Sequence, residues 1–255
     1  MLSPTLIIAL FARRARAGRT DGLAPLEASY RDRGQVTSKT ITVSVQDVPI
    51  HYLEAGPEQA AKLVVFHHGA AFSARTWQVV GVLDGLAEAG IRAIAIDAPG
   101  YGEQKSGSAK LSAAALRAFL ASFLQAIGWK RKVVVVSASF GGIIGSPFVF
   151  DRAGMVAGYV SVAAMFNVAP AQHAASKVPT LLIWGELDHP DSERARQSEA
   201  VFARHTKVVF PDAPHPAYLH DPKLFVSLVL QFVGAAPSPT AAVESAPPLI
   251  YLAEW

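Results

Sequence analysis

A chain of 255 residues with 51% hydrophobic and 17% charged side chains has the composition of a folded globular protein and the length of one α/β domain. It contains no cysteine, which excludes disulfide scaffolds, thiol nucleophiles, Cys-ligated zinc and iron–sulfur clusters. The formal net charge of +3 predicts no general affinity for nucleic acid, and no apolar run approaches the about 18 to 20 residues that a membrane-spanning helix requires.

Residues 1–37 read as a basic leader. The apolar patch Leu6–Ala12 precedes Arg13, Arg14, Arg16 and Arg19, no acid occurs before Asp21, and the polar stretch beyond has no clean period. Its acid-free, Arg-rich character fits organelle targeting, whereas the scarcity of serine and the apolar-first order fit a flexible arm on a cytoplasmic protein. Residues 38–234 form the expected folded domain. Residues 235–255 are a Pro/Ala-rich tail ending in the apolar segment Leu249–Trp255, which is expected to dock on the body.

Within the domain, Thr40–Val45 and Ile50–Glu54 alternate with period two and predict a β-hairpin. Short continuous apolar runs follow at Leu63–Phe66, Ala93–Ile96, Val133–Val136, Tyr159–Val162, Leu181–Trp184 and Val208–Phe210, as in strands buried on both faces. Helical segments are predicted at Arg75–Ala89, Ser112–Ile127, after Phe140, at Ser192–Arg204 and at Lys223–Val233. This alternation predicts a mostly parallel central sheet with helices on both faces.

Functional loops of such sheets leave the carboxyl ends of strands. Val133–Val136 runs into Ser137-Ala138-Ser139-Phe140-Gly141-Gly142 and an apolar helix, the strand, sharp turn and helix of a nucleophile elbow with Ser139 at its apex. The residues two before and two after the apex must be small. Gly141 satisfies this, and Ser137 stands where the G-x-S-x-G pattern has glycine. A serine nucleophile needs a base, and the base needs an acid to set its tautomer. Asp188 follows the Leu181–Trp184 strand, with Glu186 and Asp191 as alternative acids; His215 follows Val208–Phe210, with His205 and His220 as alternative bases. His205 precedes its strand and falls at the opposite end, and His220 lies beside the Asp221-Pro222 helix start. Backbone donors for an oxyanion are expected from Phe140 and from Ala70 in His67-His68-Gly69-Ala70-Ala71-Phe72. Adjacent His67 and His68 on an extended segment point to opposite faces, so no metal site is predicted. Asp97-Ala98-Pro99-Gly100-Tyr101-Gly102 has neither the G-x-G-x-x-G nor the P-loop spacing, which leaves Asp97 as a loop-tethering acid.

These loops together resemble the α/β-hydrolase superfamily from about Ile50 to Val233. Several stretches are similar to the alpha/beta hydrolase domain-containing protein 14 group, the CIB-type hydrolases. They are His68-Gly69 with Phe72-Ser73 and Thr76-Trp77, the segment GIRAIAIDAPG from Gly90 to Gly100, the S-x-S motif at Ser137–Ser139, Gly185–Asp188, and His215-Pro216 with Tyr218-Leu219. The resemblance implies the nucleophile, acid and base order Ser139, Asp188, His215. Gly141 stands where the group often has another serine.

The implied activity is that of a serine hydrolase cleaving small acyl esters or amides through an acyl-enzyme, with no required cofactor. Alternatives are transfer of an acetyl group to coenzyme A as acceptor and a non-catalytic small-molecule binding module on the same fold. Only Ala163–Val178 separate two predicted strands where many relatives insert a cap, so no sizeable cap domain is expected. Phe72, Trp77, Met165, Phe166 and Tyr218 are candidate walls of a small acyl pocket, and the chain is expected to act as a monomer.

Overall fold

The apolar runs do become strands, and the alternation within them decides which side of the sheet each residue covers. The computed structural model describes residues 23–30, 34–43, 48–102, 112–166 and 176–234. In chain order these form α1 (Leu23–Ser29), β1 (Val36–Val43), β2 (Val48–Ala55), β3 (Leu63–His67), α2 (Ala74–Val79), α3 (Val82–Glu88), β4 (Arg92–Ile96), α4 (Ala113–Ala126) and β5 (Val133–Ala138). A single 3₁₀ turn at Ser139–Gly141 leads into α5 (Gly142–Asp151), followed by β6 (Val156–Val162), β7 (Thr180–Gly185), α6 (Glu193–Val201), β8 (His205–Phe210), α7 (Ala217–His220) and α8 (Pro222–Val233).

The strands make one eight-stranded sheet in the order β1-β2-β4-β3-β5-β6-β7-β8. The β1/β2 and β2/β4 pairs are antiparallel, and the rest of the sheet is parallel. Val64, Phe66, Val134 and Val136 face a core completed by Trp77, Leu83, Leu86, Phe225 and Val229 from α2, α3 and α8. Leu63, Val65, Val133 and Val135 face the other core, built with Phe119, Phe123, Ile144 and Phe148 from α4 and α5. Period two thus divides one apolar run between two cores.

Local signals set the helix ends. Ser112 caps α4 through its side chain on the Ala115 N–H; Asp221 caps α8 on the Leu224 N–H, with Pro222 in the first turn and Gly234 left-handed at the end. The structure corrects the sequence reading in two places. The helix expected over Arg75–Ala89 is two helices, because Gly81 adopts φ 84° between them. The segment read as a basic leader, flexible or targeting, carries α1, whose Leu23 and Leu26 pack against the first core while Tyr30 Oη donates to Asp84 at 3.4 Å; β1 also begins earlier than the predicted hairpin, at Val36. The Arg run of the leader, residues 44–47 of the hairpin, and the tail with Leu249–Trp255 lie outside the described residues.

Between β6 and β7 lie residues 163–179, too few for a multi-helix cap. No helix among the described residues is long and apolar enough to cross a membrane.

Candidate active site

Ser139 follows β5 directly and has φ 47°, a left-handed backbone that costs a non-glycine residue about 1 to 3 kcal/mol. The strain projects its side chain from the turn. Close packing around the turn explains the letters on either side. A Cβ at Gly141 would lie 2.4 Å from the His67 carbonyl oxygen, and one at Gly142 would lie 2.2 Å from that of Met165. The Met165 N–H donates to the Ser139 carbonyl at 2.8 Å, which ties the turn to the end of β6. Ser137 is fully buried, and a Cβ at Gly145 would sit 2.3 Å from its hydroxyl oxygen. The serine that replaces the first elbow glycine therefore fits because α5 offers a glycine opposite it, a compensation eight residues away that the motif alone did not disclose.

The candidate acid and base meet at the carboxyl ends of β7 and β8. Asp188 ends the 3₁₀ turn Glu186–Asp188, where His189 has φ 54°, and its Oδ2 lies 2.6 Å from His215 Nδ1. A carboxylate only accepts, so Nδ1 carries the hydrogen and Nε2 is left free to act as a base. Both side chains are about four-fifths buried, with 22% of His215 and 17% of Asp188 exposed. The alternative acids are engaged elsewhere: Glu186 Oε2 accepts from the Asp212 N–H at 2.9 Å, and Asp191, 94% exposed, lies 3.5 Å from Lys207 Nζ. Of the alternative bases, His205 opens β8 and engages the Phe202 carbonyl, and His220 is exposed at the end of α7.

Arg194 is a neighbour that sequence reasoning missed. Its Nη2 lies 3.5 Å from Asp188 Oδ2 and its guanidinium stacks over Trp184 at 5.0 Å. Burial lowers its pKa, and the Asp188 carboxylate opposes that shift. Nothing in the i, i+6 spacing on the chain marks this pair.

The Gly69 loop stands over the elbow. A Cβ at Gly69 would lie 3.5 Å from that of Ser139, so the candidate oxyanion loop and the serine are in contact distance. His68 holds the loop: the Ala98 N–H donates to His68 Nε2 at 3.0 Å, which leaves His68 Nδ1–H to donate to the Gly69 carbonyl at 2.8 Å. That carbonyl also accepts from the Phe72 N–H at 3.0 Å. In a trans peptide the C=O and N–H point in opposite directions, so anchoring the Gly69 carbonyl turns the Ala70 N–H away from His68. Phe140, the second expected donor, is the residue after Ser139 within the same turn. Among the described residues Ser139 makes no hydrogen bond to His215; such bonds commonly tighten only in the substrate complex.

The five candidate wall residues are placed differently from one another. Phe72 is half-buried and lies beside Gly69, and Met165 and Phe166 are half-buried after β6. Trp77 and Tyr218 are buried and stack with Phe225 in the core, Trp77 also against Phe66. Tyr218 meets Phe72 at 6.2 Å, and Trp77 packs on Tyr218 behind it.

His67 and His68 enter separate surroundings, His67 beneath α5 near Gly145 and His68 beside Tyr101, and no metal-ligating cluster of three occurs among the described residues. His67 is held neutral. Burial, helped by the adjacent His68, pulls its pKa down to about 3, and neither ring nitrogen has a hydrogen-bond partner among the described residues. The unfolded chain binds a proton near pH 6.5 that the folded chain refuses until about pH 3, so stability is full above pH 6.5 and falls as pH drops through that window. Urea unfolding between pH 6 and 4 is expected to show a slope steeper by about 1.4 kcal/mol per pH unit than in His67→Gln. Equal slopes in the two proteins would refute the assignment.

Comparison with known proteins gives the family and the fold. A sequence model described as the Alpha/beta hydrolase family matches residues 64–176. Protein ABHD14A of Mus musculus is 36% identical over 192 residues, 74% of this chain and 77% of that protein. The rat protein named "Putative protein-lysine deacylase ABHD14B" is 35% identical over 199 residues, 75% of this chain and 94% of its own. Among solved structures, a CIB-like hydrolase from Thermoplasma acidophilum superposes with TM-score 0.67 at 20% identity, covering 78% of this chain and 98% of that one. The esterase RhEst1 from Rhodococcus sp. superposes with TM-score 0.65 at 19% identity, covering 77% and 98%. By fold, elbow and relatives alike, this chain belongs to the α/β-hydrolase family, in the group that includes ABHD14A and ABHD14B.

Proposed function

We propose that the chain is a serine hydrolase of short acyl esters or amides, with Ser139 as nucleophile, His215 as general base and Asp188 as the acid that sets the imidazole. The observation that carries this reading is the 2.6 Å His215–Asp188 bond, on the same edge of the sheet as a serine with φ 47°. His215 Nε2 takes the Ser139 proton as Oγ adds to the acyl carbon; the Ala70 and Phe140 N–H groups receive the oxyanion; His215 then protonates the leaving oxygen or nitrogen. Water repeats the sequence on the acyl-enzyme. The name of the ABHD14B relative supports acyl-lysine side chains as the amide substrate class.

With Phe72 beside Gly69 and the Met165 N–H bonded to the Ser139 carbonyl at the elbow, a small acyl site is the reading. Aryl ester turnover is expected to fall at least about tenfold from acetate to octanoate. Rates that rise with acyl length would overturn the small site, and ligand-induced stabilisation with no turnover of any ester would replace the enzyme by a binding module. Adding coenzyme A distinguishes acceptors: an unchanged rate assigns water, and acceleration with acetyl-coenzyme A formation assigns the thiol.

A further inference from the structure

A second serine, histidine and aspartate are joined in series across β1, β2 and the carboxyl end of β4. Register brings them together: Thr40 faces His51 across β1 and β2, which puts Ser38 diagonal to His51 on the same face, and the Asp97 N–H donates to the His51 carbonyl at 3.0 Å just beyond β4. Ser38 Oγ lies 2.8 Å from His51 Nε2, and His51 Nδ1 lies 2.7 Å from Asp97 Oδ2. Because the carboxylate only accepts, Nδ1 carries the hydrogen, Nε2 keeps its lone pair, and the Ser38 hydroxyl is the donor. This is the hydrogen-bond order by which a histidine draws a proton from a serine.

The acid and base are fixed in place. Asp97 Oδ1 accepts from the Ala74 N–H at 2.7 Å, and a Cβ at Gly102 would fall within 2.1 Å of the carboxylate oxygens, so only glycine lets the chain close over Asp97. His51 is 5% exposed and Asp97 2%, whereas Ser38 lies open on the surface of the edge strand. A buried, oriented base therefore ends on an accessible hydroxyl. Asp97 does tether the loop, as its position in the sequence suggested, and it also orients His51.

We propose that Ser38 is a second activated nucleophile, a modification site for small electrophilic acyl or phosphonyl donors. His51 Nε2 takes the Ser38 proton, Oγ bonds to the acyl carbon of an aryl ester, and the aryl oxide leaves and receives that proton, giving a Ser38 ester and a phenol. With a fluorophosphonate the same step gives a phosphonyl ester and hydrogen fluoride. Ser38 sits within a strand rather than at a glycine loop or helix start that would gather oxyanion donors, so the ester accumulates instead of turning over.

The test uses the full chain carrying Ser139→Ala, treated with a fluorophosphonate and separately with an aryl acetate, and read by intact mass and peptide mapping. Ser29 serves as the internal control, since it is also exposed but its hydroxyl donates to the Leu26 carbonyl, with no histidine among the described residues bonded to it. The expected result is one adduct on Ser38 forming at least about tenfold faster than on Ser29, abolished in Ser139→Ala/Ser38→Ala and slowed at least about tenfold by His51→Gln. No adduct on Ser38, or labelling at the Ser29 rate, overturns the proposal without any variant of His51. Since Ser139 is absent throughout, neither outcome bears on the hydrolase reading.

Discussion

Ser139→Ala is expected to lower kcat/KM for a short aryl acetate by at least about 10⁴-fold, leaving only what binding and the oxyanion donors contribute without a nucleophile. Ser139→Gly should lose activity to the same extent but gain stability. At φ 47° the serine backbone is strained, and glycine relieves strain that the fold otherwise carries at this turn. Urea unfolding should place Ser139→Gly about 1 kcal/mol above wild type and Ser139→Ala near it. Turnover that survives in both variants would remove Ser139 from the mechanism, whatever the stability result.

Asp188→Asn is expected to lower kcat about 10³- to 10⁴-fold near neutral pH with little change in folding. The carboxylate receives the Nδ1 hydrogen of His215 at 2.6 Å and so keeps Nε2 free to accept. An asparagine amide can present an N–H to Nδ1 instead, which moves the imidazole hydrogen to Nε2 and leaves no base facing Ser139. Glu186→Gln is the control, because Glu186 holds the Asp212 N–H rather than the histidine; less than about a tenfold loss is expected there. A larger loss from Glu186→Gln than from Asp188→Asn would transfer the role of acid to Glu186.

What the sequence determined by itself was local. Runs of β-branched and other apolar residues marked the strands from β3 to β7, since a strand buried on both faces needs no polar partner anywhere along it; β8, at the edge of the sheet, carries the short run Val208–Phe210 but is exposed or half-buried along most of its length, so burial on both faces did not hold there. Ser139, Asp188 and His215 could be named as candidates because each lies just past such a run, and chain connectivity alone delivers the carboxyl ends of parallel strands to one edge. Gly81 was not legible as a break, since an isolated glycine in an apolar helical pattern is tolerated as often as it terminates one; only its left-handed backbone decided. Nor was α1, whose seven residues lack a strong period and are held by Leu23 and Leu26 against a core built from distant segments.

The tertiary structure alone decided the pairings that join separate strands and helices. Gly145 opposite Ser137, Arg194 beside Asp188, and Ser38, His51 and Asp97 in series each depend on register and on the packing of one element over another. Patterns along the chain report which face of an element is apolar. They do not report which residue on a neighbouring element lies opposite, because strand pairing and helix position are set by the summed packing of the whole core rather than by the few residues that meet.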